Sequence, residues 1–219
     1  MKKYLPILQR CSLFRGIEED NLLTMLGCLE AKVTAFDKKY TVLTEGGPAR
    51  HIGVVLSGSV QVVRVDLNGN RSILAEMREG ESFGEAFACA GVENLPIAVV
   101  ANEACEIMLL DCHHILHTCA NHCGFHQQLI FNLTQELAAK VMAFHQKIEV
   151  VSRRTTRDKL MTYLLIQAKK NRSNRFTIPF DRQELADYLE VERSGLSAEI
   201  SKLRAEGVLD SHRNEFVLL

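Results

Sequence analysis

The sequence lacks the marks of an exported protein or an enzyme. No run is long and apolar enough to span a bilayer. The opening segment, MKKYLPILQRCSLF, has two lysines but no sustained apolar stretch and no small-residue cleavage site, so no signal peptide is expected and a cytoplasmic location is. Seven cysteines are an odd number, and their spacing matches no secreted disulfide framework, which predicts mostly free thiols. The Cys-x-x-Cys spacing of a zinc site is absent. No Walker loop, nucleophile elbow or paired-carboxylate pattern stands out from surface charge, so no catalytic residue is expected. Internal repeats and low-complexity tracts are missing as well.

What is present is enough for one large or two modest domains: 219 residues, of which 47% are hydrophobic. The net charge of −1 hides an asymmetry. From Val151 onward 13 Lys and Arg stand against 10 Asp and Glu, a balance of +3, while Met1 to Val150 carries −4. A basic end behind an acidic body fits a nucleic-acid-binding module joined to a sensor.

Three regions follow from the patterning. From Leu5 to Leu29 short helices are expected, begun by Pro6 and striped by Leu22, Leu23, Leu26 and Leu29. From Ala31 to about Leu110 short strand-like runs such as HIGVVLSGSVQVVRV alternate with turn signals, which predicts a small sandwich or barrel. Asn68-Gly69 between two such runs predicts a hairpin with positive φ at both turn residues. From Phe125 to Val151 neither Pro nor Gly interrupts a helical pattern, and Leu129, Leu133, Leu137, Val141 and Phe144, flanked by Ile130, Ala138 and Ile148, make a broad apolar stripe. Such a helix needs a partner. A second copy of the chain is the expected one, and packing on its own β domain is the alternative. Arg153 to Asp158 reads as a hinge.

The segment DRQELADYLEVERSGLSAEISKLRAEGVL is the most informative. Asp181 and Glu184 have the spacing of a capping box. Leu185, Ala186 and Leu189 share one helical face, Val191 plugs the turn, and Leu196, Ile200 and Leu203 form the buried stripe of a second helix. Gly207 closes that helix, and Val208-Leu209 with Phe216 to Leu219 suit a small hairpin. The predicted unit is a winged helix-turn-helix, whose second helix enters the DNA major groove. Its outward face would carry Arg193, Ser194, Ser197, Ala198 and Lys202. An ordinary helical hairpin with a solvated face would show the same periodicity.

In this order of parts the chain resembles the Crp/Fnr family of bacterial transcription regulators over nearly its whole length. The segments LSGSVQVVR, FGEAFACAGVENLPIAVVANEACEIMLLD and DRQELADYL…RSGLSAEISKLRAEGVL carry the resemblance. It implies an α+β protein: an N-terminal β-roll (double-stranded β-helix, cupin-like) sensor with its leading helices over residues 1–124, a long dimerisation helix over 125–151 and a C-terminal winged helix-turn-helix over 152–219. It further implies a homodimer on a palindromic double-stranded operator, a small-molecule effector in the roll, and RNA polymerase as a further partner. Arg193 matches an arginine common at the head of the family's recognition helix, suited to a guanine's O6 and N7. Ser194 stands where glutamate is common and Ala198 where arginine is, so a different operator is expected. Arg182 and Gln183 match phosphate-touching positions. Glu190 stands where the family's turn often has glycine, which predicts an altered or strained turn.

For the effector, the resemblance places the pocket at Gly84, Glu85, Ala86, Phe87, Leu95 and Pro96. Gly84-Glu85 matches the ribose-holding half of a cyclic-nucleotide site. Leu95 and Pro96 stand where an Arg-Ser pair would hold the phosphate, so neither cyclic AMP nor cyclic GMP is expected. Amides near Ala86 and Phe87 suit a smaller anion, and the cofactor is undetermined. Cys112, His113, His114, His117, Cys119, His122, Cys123 and His126 crowd one segment, with pairs four apart as metal ligands can be. A metal-, haem- or redox-responsive regulator on the same scaffold therefore stays open, although no histidine falls between Gly80 and Cys105. So does a ligand-binding module whose DNA contacts have decayed.

Overall fold

The computed structural model describes residues 1–117 and 124–219. Its contacts divide the chain into two units: Met1–Asn68 with Leu74–Val141, and Gly69–Ile73 with Met142–Leu219.

The first unit opens with two short helices, α1 (Leu5–Leu8) and α2 (Glu19–Cys28), with Pro6 in the first turn of α1. Eight strands follow: β1 (Lys32–Phe36), β2 (Thr41–Leu43), β3 (His51–Ser57), β4 (Ser59–Val65), β5 (Arg71–Arg78), β6 (Ser82–Phe83), β7 (Ala98–Ala101) and β8 (Cys105–Asp111). They form two four-stranded sheets, in the orders β1-β8-β3-β6 and β2-β7-β4-β5. The all-β pattern is broken once, by helix α3 (Glu85–Cys89), and is followed by α4 (Cys112–Leu116) and the long α5 (Gly124–Val151).

Alternation along β3 shows how the unit is built. Val55 points into an apolar cluster shared with Val60, Phe83, Leu95, Val99 and Ile107, drawn from both sheets. Ile52, Val54 and Leu56 point the other way, onto a second cluster with Leu8, Phe14, Leu22, Met25, Leu129 and Leu133. Successive strand residues face opposite sides, so a strand buried on both faces reads as a continuous apolar run. Two glycines are sterically required. A Cβ on Gly53 would lie 2.1 Å from the Phe83 ring. Gly58 turns β3 into β4 at φ +75°, where a Cβ would meet the Ala104 carbonyl at 2.6 Å.

The β4–β5 turn departs from the expectation. Gly69 takes φ +82°, but Asn68 does not join it in the left-handed region. The Asp66 carboxylate accepts the Asn68 N–H at 2.9 Å, giving the chain an Asx-type turn instead.

The apolar stripe of α5 is split between two environments. Leu129 and Leu133 are buried in the first unit's core, and Leu137 is half-buried against it. Val141, Phe144 and Ile148 are exposed, as are Phe131 and Met142. The first part of the stripe thus packs on its own β domain, while its second part is an open apolar face.

The second unit contains α6 (Thr156–Asn171), β9 (Arg175–Thr177), α7 (Arg182–Leu189), α8 (Arg193–Ala205), β10 (Leu209–His212) and β11 (Glu215–Leu218). The strands form a sheet in the order β10-β11-β9, so the RFT of the sequence is a third strand beside the hairpin. Leu185, Ala186, Leu189, Leu196, Ile200 and Leu203 are all buried, as their spacing requires. No helix among the described residues is long and apolar enough to cross a membrane.

Candidate functional site

The helix-turn-helix is set by local chemistry. The Asp181 carboxylate accepts the Glu184 N–H at 2.8 Å, and the Glu184 carboxylate accepts the Asp181 N–H at 2.9 Å, completing the capping box. Glu190 ends α7 at φ 53°, ψ 57°, a left-handed conformation that costs a non-glycine residue roughly 1–2 kcal/mol. Lys159 from α6 donates to the carbonyls of Leu189 and Glu190, both at 3.2 Å, and so supports this strained turn. Gly207 takes φ +70° after α8, while Val208 N–H reaches the Leu203 carbonyl at 3.0 Å.

Arg193 and Ser194 are exposed at the start of α8, and Ala198 and Lys202 are exposed further along it. Ser197 is half-buried, and its carbonyl accepts the Ser201 hydroxyl at 3.0 Å. Gln183 donates to the Asp187 carboxylate at 2.8 Å.

Arg182, Gln183 and Arg193 line one hollow of about 540 Å³ together with Arg213 and Asn214, and with Asp181 and Glu184 of the capping box. Arg213 is exposed at the tip of the β10–β11 wing, with φ 54°. Sequence reasoning missed it because only the turn brings it beside α7 and α8. Arg182 lies over the Phe216 ring at 5.9 Å, and its buried Nη1 makes no hydrogen bond among the described residues. Burial, and then the neighbouring Arg193 charge, push the Arg182 guanidinium down from its ordinary value. Three arginines stand in this hollow against two carboxylates, Asp181 and Glu184, each bonded to a backbone N–H, and the excess of cations favours an incoming anion.

The pocket segment of the first unit is arranged differently. Gly84 takes φ +82° and starts α3, whose first turn has no side-chain cap. Glu85 is 2% exposed, and its carboxylate is ion-paired with Lys140 of α5. The Ser82 hydroxyl approaches Glu85 at 3.3 Å and donates to Glu136 at 2.6 Å. Ser12 donates to the other Glu136 oxygen at 2.8 Å, and Lys140 donates to the Ser82 carbonyl at 2.6 Å. Leu95 is buried in the cluster between the sheets and Phe87 packs against that cluster, while Ala86 and Pro96 are exposed. The six predicted pocket residues therefore divide between an ionic cluster on α5, the apolar roll core and solvent. Ser12, Ser82, Glu136 and Lys140 had no signal in the sequence: they meet only through long-range packing.

Of the Cys/His-rich segment, Cys119, His122 and Cys123 lie outside the described residues. His113 and His117 stack with centroids 4.0 Å apart, as residues four apart on one helical face do. His126 is buried, its Nε2 2.7 Å from the Ile115 carbonyl. Among the described residues no group of three or more His, Cys, Asp or Glu is placed to hold a metal ion.

Comparisons with known proteins agree with these two units. The family model of the cyclic nucleotide-binding domain matches residues 33–122, and that of the Crp-like helix-turn-helix domain matches residues 158–219. No curated protein matches the chain by sequence. The structure of FixK2 from Bradyrhizobium japonicum is similar at TM-score 0.65 and 21% identity, covering 86% of this chain and 92% of that one. The c-di-GMP-responsive global regulator CLP of Xanthomonas campestris is similar at TM-score 0.74 and 16% identity, covering 91% and 99%. A CRP-family transcriptional regulator from Thermus thermophilus, TTHB099, is similar at TM-score 0.62 and 20% identity, covering 85% and 91%. At these identities the solved structures establish the shared fold, and the two domain matches establish the kinship. The chain belongs to the Crp/Fnr family of DNA-binding transcription regulators.

Proposed function

We propose that the protein is a dimeric, sequence-specific regulator that reads a two-fold symmetric operator and is controlled by a small effector in the β-roll, in the cytoplasm. The observation that carries the DNA reading is the arginine hollow. Arg193 and Ser194 head α8 and face base edges, with Ser197 and Lys202 further along the same helix. Arg182 and Gln183, joined by Arg213 and Asn214 of the wing, hold backbone phosphates on either side. The open side of α5, with Phe131, Val141, Met142, Phe144 and Ile148, forms the seam with a second copy, because that much apolar surface on one helix favours burial. Paired α8 helices then meet major grooves roughly 34 Å apart.

For the effector site, Glu85 is the polar anchor and Lys140 its internal partner. A ligand that takes over the Glu85 carboxylate releases Lys140, and so acts on α5 through one ion pair. Leu95 and Pro96 supply no cation or hydroxyl for a cyclic phosphate, which argues for a ligand other than cyclic AMP or cyclic GMP. RNA polymerase contact follows from the regulator class.

Selection of bound duplexes from a random-sequence pool, with and without cell extract, tests this reading. An enriched palindrome with half-sites one helical turn apart is expected. Recovery of unenriched DNA under both conditions would overturn it.

A further inference from the structure

Two thiols in the sensor unit touch. Cys89, the last residue of α3, and Cys112, the first residue of α4, place their sulfurs 3.7 Å apart across 23 residues of sequence. Cys112 is 3% exposed, while Cys89 is half-buried and reachable from solvent. The other described cysteines are not paired in this way: Cys11 and Cys105 are buried, and Cys28 is exposed on α2. A disulfide needs its sulfurs near 2.05 Å, a closure of roughly 2 Å that side-chain rotation and a small shift of the short α3 supply.

We propose that Cys89 and Cys112 are a reversible thiol–disulfide pair whose oxidant is a hydroperoxide. The Cys89 thiolate attacks the terminal peroxide oxygen. The O–O bond breaks, the alcohol or water leaves, and Cys89 becomes a sulfenic acid. The Cys112 sulfur then attacks the Cys89 sulfur. The S–O bond breaks, the departing hydroxide takes the Cys112 proton as water, and an S–S bond forms. One peroxide is thereby reduced by two electrons drawn from the two thiols, and a small-molecule thiol restores them.

The pair is placed where such a bond has leverage. Glu85 lies one helical turn before Cys89 on α3, so the disulfide fastens the segment that carries Glu85 to α4. Burial pushes both thiols up, Cys112 to about 12, so the thiolate is scarce at neutral pH and closure is faster as pH rises.

The test treats the full-length protein with hydrogen peroxide, blocks free thiols with an alkylating agent and maps peptides without reduction. The expected result is a cross-linked Cys89–Cys112 peptide, a loss of two free thiols per chain and full recovery with dithiothreitol. In Cys112→Ser the bond cannot form, and dimedone should label Cys89 instead. Cys28→Ser should close as the wild type does, and circular dichroism checks that each variant is folded. Oxidation confined to Cys28, or a Cys89–Cys112 pair that stays fully alkylated after peroxide treatment, would overturn the proposal. The readout is the bond itself, so its failure is distinguishable from a failure of the DNA or effector reading.

Discussion

The two polar sites of this molecule solve opposite problems. In the sensor unit, Glu85 and Glu136 share one ammonium, Lys140, and the hydroxyls of Ser12 and Ser82, with both carboxylates nearly removed from water. In the DNA-binding unit, Arg182, Arg193 and Arg213 outnumber the carboxylates of Asp181 and Glu184 in an open hollow, and Arg182 keeps an Nη1 without a hydrogen-bond partner among the described residues. A satisfied buried cluster holds a structure in one state, because losing any member strands another in a poorly hydrated place. An unsatisfied cationic surface is held in shape by the scaffold around it and gives up little when an anion arrives. On the proposed reading, function in the first site requires breaking something. In the second it requires only adding something.

The largest effect expected from this contrast is at Lys140. Lys140→Ala leaves Glu85 and Glu136 buried without their cation and should destabilise the sensor unit by on the order of 3 kcal/mol, tempered because the Lys140 side chain is 24% exposed. Denaturant unfolding measures it. Lys140→Met with Glu85→Gln and Glu136→Gln should recover most of that loss, because that combination leaves no charge stranded. If the single variant is as stable as the wild type, the cluster does not lock the unit.

The comparison sharpens at Lys147, a buried cation inside the DNA-binding unit. Its ammonium lies 3.6 Å over the Tyr188 ring and donates to the Tyr188 carbonyl, and burial pushes it down to about 8 from an ordinary 10.5. The folded state therefore loses this proton before the unfolded state does. Between about pH 8 and 10 the unfolded chain binds more protons, so Lys147's contribution to stability rises with pH, by on the order of 1 kcal/mol per unit. Tyr188, pushed up by burial, stays neutral in that window. The stability difference between wild type and Lys147→Met, followed by urea unfolding at about pH 7.5 and about pH 10, should move in favour of the wild type. A flat difference would contradict the assignment.

A smaller change is expected at Glu190. Glu190→Gly should stabilise the DNA-binding unit by about 1 kcal/mol, by removing the left-handed strain while keeping the carbonyl that Lys159 binds. Thermal unfolding reads this, and a destabilised variant would mean that the Glu190 side chain matters more than its backbone. Smallest for the fold is Arg213→Ala. Stability should not change, while the slope of log affinity against log salt should fall by about one with no change in sequence preference.

How much was legible follows from how far each signal reaches along the chain. The helix-turn-helix could be read residue by residue because Asp181 and Glu184 are three apart and the buried stripes repeat every three or four positions. The strained turn at Glu190 was likewise foreseeable. The β4–β5 turn was misread because an Asp66 side chain, not the Asn-Gly pair alone, chose its geometry. The α5 stripe looked uniform in sequence, yet its two ends meet different surroundings. Nothing near Glu85 announces Lys140, and nothing near Arg182 announces Arg213. Such pairings depend on the completed fold, and they are the ones that give each site its character.

The most direct measurement is the affinity of wild type and Arg193→Ala for a selected operator and for a scrambled duplex at the same salt. The expected result is a strong wild-type preference for the operator, with a loss of about 1–3 kcal/mol of discrimination in Arg193→Ala and little change on the scrambled duplex. Equal wild-type affinity for both duplexes would contradict the claim that α8 reads DNA.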